Sequence, residues 1–315
     1  MNLPHKNSAN SEFQLPDFPE AGNFHVSQLT LAVLMAEHTD PVTDFQRKNI
    51  QTWSNADALL FNTVEELDRL GLNYFRREFG IPVWAIGPLL LPDLERETQL
   101  SAEECIKWLD TKEASSTIYI SFGSHSTITA SQIKSLAKAL EISGRSFIWV
   151  VRPPLGFDEN AEFVVEQWLP EGRLRGGDRG LIVSKWAPQV EILSHKSVGA
   201  FVTHCGWNSV VEALENAVPL IGWPMAAEQF YNAKLLVEKV GVCVEVARGT
   251  GFDVREEEIV DKIEMVMGES ERGLEIRKKC LEIREFLRDA VRDEEDYKGS
   301  SVKAMHEFFN AALLY

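Results

Sequence analysis

The sequence predicts an α/β fold whose main domain is a doubly wound parallel sheet. Three observations support this: short apolar runs without polar alternation, amphipathic segments between them, and a length of 315 residues, which suits about two domains. Strands that are apolar on both faces are typical of parallel sheets covered by helices. We therefore expect repeated strand–helix units in one of the two domains.

Six apolar runs are the expected strands of this sheet. They are TIYISF (117–122), SFIWVV (146–151), GLIVS (180–184), GAFVTH (199–204), VPLIGW (218–223) and GVCVEV (241–246). The segment SQIKSLAKALEIS between the first two runs repeats apolar residues at helical spacing. Its apolar face consists of Ile133, Leu136, Ala137 and Leu140. This pattern predicts a helix packed on the sheet.

The composition shifts along the chain and indicates domain boundaries. Residues 1–86 are expected to form a partial N-terminal domain, in which ADALLFNTVEELD predicts one strand leading into a helix. Residues 87–104 are rich in proline and acids and predict a linker. Residues 105–297 would form the domain with the sheet. Residues 298–315 predict a helix that packs back toward the N-terminal domain.

Charge and cysteine content narrow the class of protein. Lys and Arg number 32 against 48 Asp and Glu, a net charge of −16, which disfavours nucleic-acid partners. No apolar run is long enough to span a bilayer, so no integral membrane contact is expected. The four cysteines form no CxxC pair, and the first residues lack an apolar signal segment. We expect a cytoplasmic protein.

The stretch from Trp186 to Gln229 carries the strongest functional signal. Its centre, HCGWNS (204–209), follows an expected strand and opens an expected helix. Ligands of open α/β sheets bind beyond the carboxyl ends of the strands. Gly206 permits close backbone approach, and the first free amides of the helix favour an anion. The turn therefore predicts a pyrophosphate site, although neither GxGxxG nor GxxxxGK[ST] is present.

Structural alternatives exist for each of these residues taken alone. Ser209 and Glu212 form S-x-x-E, which is the pattern of a helix capping box. His204 alone is more often a structural hydrogen-bonding residue. Trp186 and Trp207 alone are more often core aromatics. Single residues therefore leave the choice between ligand binding and local structure open.

The stretch as a whole resembles the signature box of plant secondary-product UDP-glycosyltransferases. WAPQ at its start, HCGWNS in its middle and the acid–Gln pair at its end stand at that family's spacing. LPDFPE, IGPLL, CIKWLD and YISFGSHSTI also resemble family segments, in family order. The resemblance implies a GT-B fold with a complete C-terminal Rossmann-like domain and a partial N-terminal α/β domain.

The same resemblance implies roles for individual residues in binding a UDP-sugar. Trp186 would stack on the uracil, Ala187 and Gln189 would reach the base edge, and Glu212 would bind the ribose hydroxyls. His204, Asn208 and Ser209 would hold the diphosphate together with the backbone at Gly206 and Trp207, and Ser124 would lie near the phosphates. Glu228 and Gln229 would bind hydroxyls of the sugar.

The resemblance also implies the substrates. Gln229 and Trp207 match the UDP-glucose pattern, while Glu228 stands where the family commonly has Asp. The expected reaction transfers a hexosyl group, with inversion, to a hydroxyl of a small hydrophobic plant metabolite such as a flavonoid. UDP-glucose is the expected donor substrate, and neither a metal nor another cofactor is expected.

The family's catalytic base, a histidine near the start of the N-terminal domain, and its aspartate partner have no counterpart in this sequence. His5, His25 and His38 lack the surrounding motif. We therefore expect no catalytic residue and an N-terminally truncated chain, and a catalytically inactive UDP-sugar-binding module is the alternative function. A serine hydrolase and a dinucleotide oxidoreductase are disfavoured because GxSxG and GxGxxG are both missing.

Overall fold

The structure is a computed structural model, and its contacts divide the chain into two units. Unit 1 comprises Met1–Leu90 with Glu285–Tyr315, and unit 2 comprises Leu91–Arg284. The described residues are 12–30, 33, 41–53, 55–90, 100–124, 126–158, 163–169, 178–184, 186–249 and 253–313.

Unit 2 contains a six-stranded parallel sheet, as the sequence predicts. Its strands are β5 (Thr117–Ser121), β6 (Ser146–Val150), β7 (Gly180–Val183), β8 (Val198–Thr203), β9 (Leu220–Gly222) and β10 (Cys243–Glu245). Their order across the sheet is β10-β9-β8-β5-β6-β7. The chain therefore runs outward from β5 on one side and returns to β8 on the other side of β5. This reversal is the topological switch point at which open α/β sheets bind ligands.

Helices precede, connect and follow these strands. They are α3 (Ala102–Leu109), α4 (Ala130–Ser143), α5 (Gln189–Ser194), α6 (Trp207–Glu215), α7 (Gln229–Leu235) and α8 (Glu256–Met267), followed by α9 (Glu271–Ala290), in which the division between the units falls. A π-helical turn at Leu236–Val240 extends α7.

Burial of apolar side chains explains why these segments fold as they do. Every residue of β5 and β8 is buried. The expected apolar face of α4 is confirmed, because Ile133, Leu136 and Leu140 are buried and the helix packs against α8. Thr129 and the side chain of Gln132 form the capping box that begins α4.

Unit 1 contains two small sheets. The strands are β1 (Glu12–Gln14) and β2 (Asn23–His25), which pair antiparallel, and β3 (Leu59–Phe61) and β4 (Val83–Ala85), which pair parallel. The helices described are α1 (Pro41–Trp53), α2 (Glu65–Phe79) and α10 (Ser300–Ala312). The predicted strand and helix of ADALLFNTVEELD correspond to β3 and the beginning of α2.

The C-terminal helix of unit 1 packs against β4. The Trp84 Nε1–H donates to Glu307 Oε2 at 3.0 Å, and the rings of Trp84 and Phe308 meet edge to face with centroids 5.8 Å apart. Ser301 Oγ donates to the carbonyl of Gly87. These contacts join the two ends of the sequence in one unit.

Two boundaries differ from those expected from composition. Helix α3 begins at Ala102, inside the expected linker 87–104, because Ser101 and Glu104 form its capping box. The structural division at Arg284–Glu285 precedes the expected one at 297–298, because the end of α9 contacts the turn before α10, with the Asp289 and Ala290 carbonyls close to Gly299. Within the described residues, no helix has the length and apolar character needed to cross a membrane.

Candidate functional site

A cavity of about 410 Å³ lies at the carboxyl ends of β5, β6, β7 and β8 in unit 2. Its lining includes eleven of the twelve residues that the sequence predicts for the site: Ser124, Trp186, Ala187, Gln189, His204, Gly206, Trp207, Asn208, Ser209, Glu212 and Glu228. Its volume is in the range of small-ligand pockets. The structure thus brings together residues that are up to about a hundred positions apart in the sequence.

The turn between β8 and α6 forms one wall of this cavity. Cys205 adopts a left-handed backbone conformation with φ of 63°, and the Asn232 Nδ2–H donates to its carbonyl at 2.9 Å. Gly206 is the N-cap of α6 and provides no side chain to cap the first amides. A helix N-terminus of this kind carries partial positive charge and binds anions. The turn therefore has the uncapped helix N-terminus on which the phosphate prediction depends, and phosphate binding itself stays a prediction.

The capping-box interpretation of Ser209 and Glu212 is wrong. Helix α6 begins at Trp207, so Ser209 already lies in its first turn and is not the N-cap. Instead, the Gln189 Nε2–H donates to Ser209 Oγ at 3.0 Å and to Glu212 Oε2 at 2.6 Å. The Tyr119 hydroxyl donates to Gln189 Oε1 at 3.3 Å. Gln189 therefore connects β5 and α6 at the cavity wall.

His204 is held between two glycines at the base of the turn. A Cβ on Gly123 would lie 2.6 Å from His204 Nε2, and a Cβ on Gly206 would overlap the same atom. Burial lowers the pKa of His204 to about 4. The imidazole is therefore neutral at physiological pH and can either donate or accept a hydrogen bond toward the cavity.

Trp186 and Trp207 are not core aromatics. Trp186 and Trp207 are both partly exposed and line the cavity, whereas Trp149 and Trp223 belong to the core. Trp186 follows β7, and the Arg152 guanidinium lies over its ring, 5.5 Å from the ring centroid. A large flat ring at a cavity wall suits stacking on a nucleobase.

Gln229 is the predicted site residue that the structure does not place on the cavity wall. Its side chain is buried, and its Oε1 accepts the backbone N–H groups of Met225 at 2.9 Å and Ala226 at 3.0 Å. It thereby holds the loop before α7, next to Glu228, which is exposed and does line the cavity. Its predicted contact with a sugar stays a prediction.

Sequence reasoning missed several lining residues, namely Tyr119, Ser121, Gly123, Val150 and Arg152. Most of them lie in or beside strands, where apolar runs conceal their position at the cavity. A signal existed for Arg152, because it is a charged residue directly after the apolar run SFIWVV, at the carboxyl end of a parallel strand.

The histidines considered as substitute bases are only partly described. His25 Nδ1 accepts the backbone N–H of Ser27 at 3.1 Å and caps a short 3₁₀ turn, which is a structural role. His5 and His38 lie outside the described residues.

A family model and several relatives match this chain. The model of the family described as UDP-glucoronosyl and UDP-glucosyl transferase matches residues 95–267. UDP-glycosyltransferase 92A1 of Arabidopsis thaliana is 49% identical over 318 residues, covering 100% of this chain and 65% of the relative. Scopoletin glucosyltransferase of Nicotiana tabacum is 38% identical, covering 93% of this chain and 63% of its own length. The chain thus spans less than two thirds of the length of these relatives.

Solved structures show the same fold. A UGT transferase from Siraitia grosvenorii in complex with UDP matches with a TM-score of 0.85 at 29% identity, over 99% of this chain and 71% of its own. UGT2 of Phytolacca americana, complexed with UDP-2fluoro-glucose and pterostilbene, matches with a TM-score of 0.80 at 29% identity, over 98% of this chain and 68% of its own.

Proposed function

The chain belongs to the UDP-glucoronosyl and UDP-glucosyl transferase family, and from this premise we propose that its cavity binds a UDP-sugar for transfer to a small molecule. The observation that carries the proposal is the meeting of Trp186 with the uncapped N-terminus of α6 in one cavity. A flat aromatic surface for a base and an anion-binding helix end for a diphosphate are the two parts that a nucleotide requires.

The proposed pose takes the roles that the sequence resemblance implies, and the position of these residues around one cavity supports it. The uracil stacks on Trp186, and the Ala187 backbone and Gln189 reach its edge. Glu212 accepts hydrogen bonds from the ribose hydroxyls. The diphosphate lies at the turn between β8 and α6, near Ser124. These residues contribute to it: His204, Gly206, Trp207, Asn208 and Ser209.

We propose glucose as the transferred sugar. Glu228 lines the cavity, and Gln229 holds the loop that carries it. Several relatives are named glucosyltransferases, including the scopoletin enzyme and crocetin glucosyltransferase 3 of Crocus sativus. Gln229 and Trp207 agree with the glucose pattern that the sequence resemblance implies.

We propose a small hydroxylated plant metabolite as the acceptor. Relatives include anthocyanin 3'-O-beta-glucosyltransferase of Gentiana triflora, 36% identical, and UDP-glucose flavonoid 3-O-glucosyltransferase 7 of Fragaria ananassa, 38% identical. One name gives an anthocyanin as the acceptor and the other a flavonoid, which supports a flavonoid-like acceptor.

The proposed reaction is a direct displacement at the anomeric carbon with inversion and without a metal cofactor. The departing diphosphate gains negative charge, which the dipole and amides of the α6 N-terminus stabilise. We assign no catalytic base to the residues of this chain. The four cysteines are free and buried, which fits the proposed cytoplasmic location.

A transfer assay tests the proposal. The chain is incubated with UDP-glucose and a flavonol, and glucoside and UDP are quantified by mass spectrometry, with UDP-galactose and UDP-glucuronate as alternative donors. The proposal predicts the greatest product formation, or the tightest binding, with UDP-glucose. Binding without product supports the alternative of a UDP-sugar-binding module. Failure of the folded chain to bind any UDP-sugar contradicts both.

A further inference from the structure

Arg152 occupies a central position at the cavity. It follows β6 by two residues, and β6 lies between β5 and β7 in the sheet. The side chain contacts residues on both sides. Its Nε–H donates to the carbonyl of Gly123, which follows β5, at 2.9 Å. Its guanidinium lies over the ring of Trp186, which follows β7. One side chain therefore connects the ends of two strands that have no direct pairing with each other.

These two contacts involve the two halves of the proposed nucleotide site. Trp186 is the proposed surface for the base. Gly123 belongs to the turn with Ser124 and packs against His204, at the proposed diphosphate position. A shift of the Gly123 carbonyl would displace the turn that contacts the His204 ring. Arg152 therefore contacts both the proposed base surface and the proposed diphosphate turn.

The chemistry of arginine suits this task better than that of lysine. The guanidinium is planar, so it can stack on an indole while an N–H in the same plane donates to a carbonyl. Its distance of 5.5 Å from the Trp186 ring centroid is within the range of cation–π contacts. A lysine ammonium is a point charge on a flexible stem and cannot fix both partners in one plane.

Charge is the second property that singles out Arg152. Among the described residues that line the cavity, it is the one Lys or Arg, and Glu212 and Glu228 line the same cavity. If only its positive charge mattered, a lysine at position 152 would serve equally well. If Arg152 positions its neighbours, the planar guanidinium is required.

We propose that Arg152 is a positioning residue for the UDP-sugar, which it serves by fixing Trp186 and the Gly123 turn at the separation that a uridine diphosphate requires. This inference rests on the proposed function, because it assumes that the base and the diphosphate bind at these two places. The residue acts through Trp186 and Gly123 and not on the reacting atoms.

Calorimetric titration of the folded chain with UDP and with uridine tests this assignment. R152A is expected to weaken UDP binding about tenfold, because the base surface and the diphosphate turn would no longer be held at a fixed separation before UDP binds. R152K is expected to weaken it nearly as much. Uridine, which has no diphosphate to be placed, is expected to lose less affinity than UDP.

A double-mutant cycle separates positioning from a general loss of structure. In a W186A background, R152A is expected to reduce UDP affinity by less than about threefold, because its partner is already absent. R145A is the matched control. Arg145 precedes the same strand at its other end and pairs with Glu264 at 2.9 Å, so UDP affinity should be unchanged.

The outcomes distinguish this inference from the proposed function. If the wild-type chain does not bind UDP, the proposed function falls and the positioning role falls with it. If the wild type binds UDP and R152A binds it equally well, the function stands and the positioning role is overturned. Full rescue by R152K would also overturn it in favour of charge alone. If R152A unfolds, R152Q and R152K provide the same comparison in a folded chain.

Discussion

Gly123 and Gly206 lie against the same His204 ring, and both positions require the absence of a side chain. Gly123 also has a φ of 78°, which disfavours any residue with a Cβ. The turn at which we propose that the diphosphate binds is therefore formed by backbone held close to an imidazole. The glycines appear in the sequence motif, but their close packing against His204 is seen only in the structure.

The first prediction concerns crowding at Gly123. G123A is expected to lower the free energy of unfolding by about 2 kcal/mol and to weaken UDP binding at least tenfold, because strain and overlap act together. G156A is the matched control: its φ is 82°, but a Cβ at this position would have no atom within 4 Å. In urea unfolding, G156A should lower the free energy of unfolding by about 1 kcal/mol through backbone strain alone. Calorimetry should show that its UDP affinity is unchanged. Equal UDP affinity of both variants would contradict the account.

The second prediction concerns pH. Burial lowers the pKa of His204 to about 4, against about 6.5 in an unfolded chain. Because the folded value is depressed, the contribution of the neutral ring is fully present above about pH 6.5 and is lost as the pH falls toward 4. Between pH 7 and pH 4.5 the wild type should lose on the order of 2 kcal/mol more stability than H204Q. If urea titrations show the same dependence of stability on pH for the wild type and H204Q, the ring is not buried in this way.

At the scale of elements, the parallel sheet of unit 2 was predictable and the start of α6 was not. Strands β5 to β10 are continuous apolar runs, which sequence periodicity detects directly. The S-x-x-E pattern suggested Ser209 as the N-cap, but the N-cap of α6 is Gly206, three residues earlier, directly after the left-handed Cys205. Strands β1 and β2 contain one apolar residue each, Phe13 and Phe24, and therefore form no apolar run in the sequence. Arg152 was missed because its contacts depend on the sheet order.

The third prediction separates a helix cap from a site residue. Thr129 Oγ1 accepts the Gln132 N–H at the start of α4, whereas Ser209 Oγ accepts from Gln189 at the cavity. T129A should lower the free energy of unfolding by about 1 kcal/mol and leave UDP affinity unchanged. S209A should weaken UDP binding with a smaller loss of stability. The reverse pattern would restore the capping-box interpretation of Ser209.

At the scale of the whole molecule, unit 1 is completed by residues from both ends of the sequence. Trp84 of β4 contacts Glu307 and Phe308 of α10, more than two hundred positions away. A contact of this kind has no local sequence signal, although the apolar face of the last helix predicts that it packs on something.

The fourth prediction tests this closure of unit 1. W84A should remove the ring contact and the hydrogen bond to Glu307, lowering the stability of unit 1 by about 2 kcal/mol. Hydrogen exchange should show faster exchange of β4 and α10 amides. F309A changes an exposed aromatic of the same helix and should have a smaller effect. Unchanged exchange in W84A would show that α10 is held by other contacts.

The central claim is that the carboxyl ends of the unit 2 strands bind uridine diphosphate, and calorimetric titration of the chain with UDP and ADP tests it most directly. The account predicts saturable UDP binding with one site, ADP binding at least tenfold weaker, and UDP binding that is measurably weaker in W186A but not in W53A, which changes an exposed tryptophan of unit 1. Absence of UDP binding by the folded chain, or equal affinity for ADP, would contradict it.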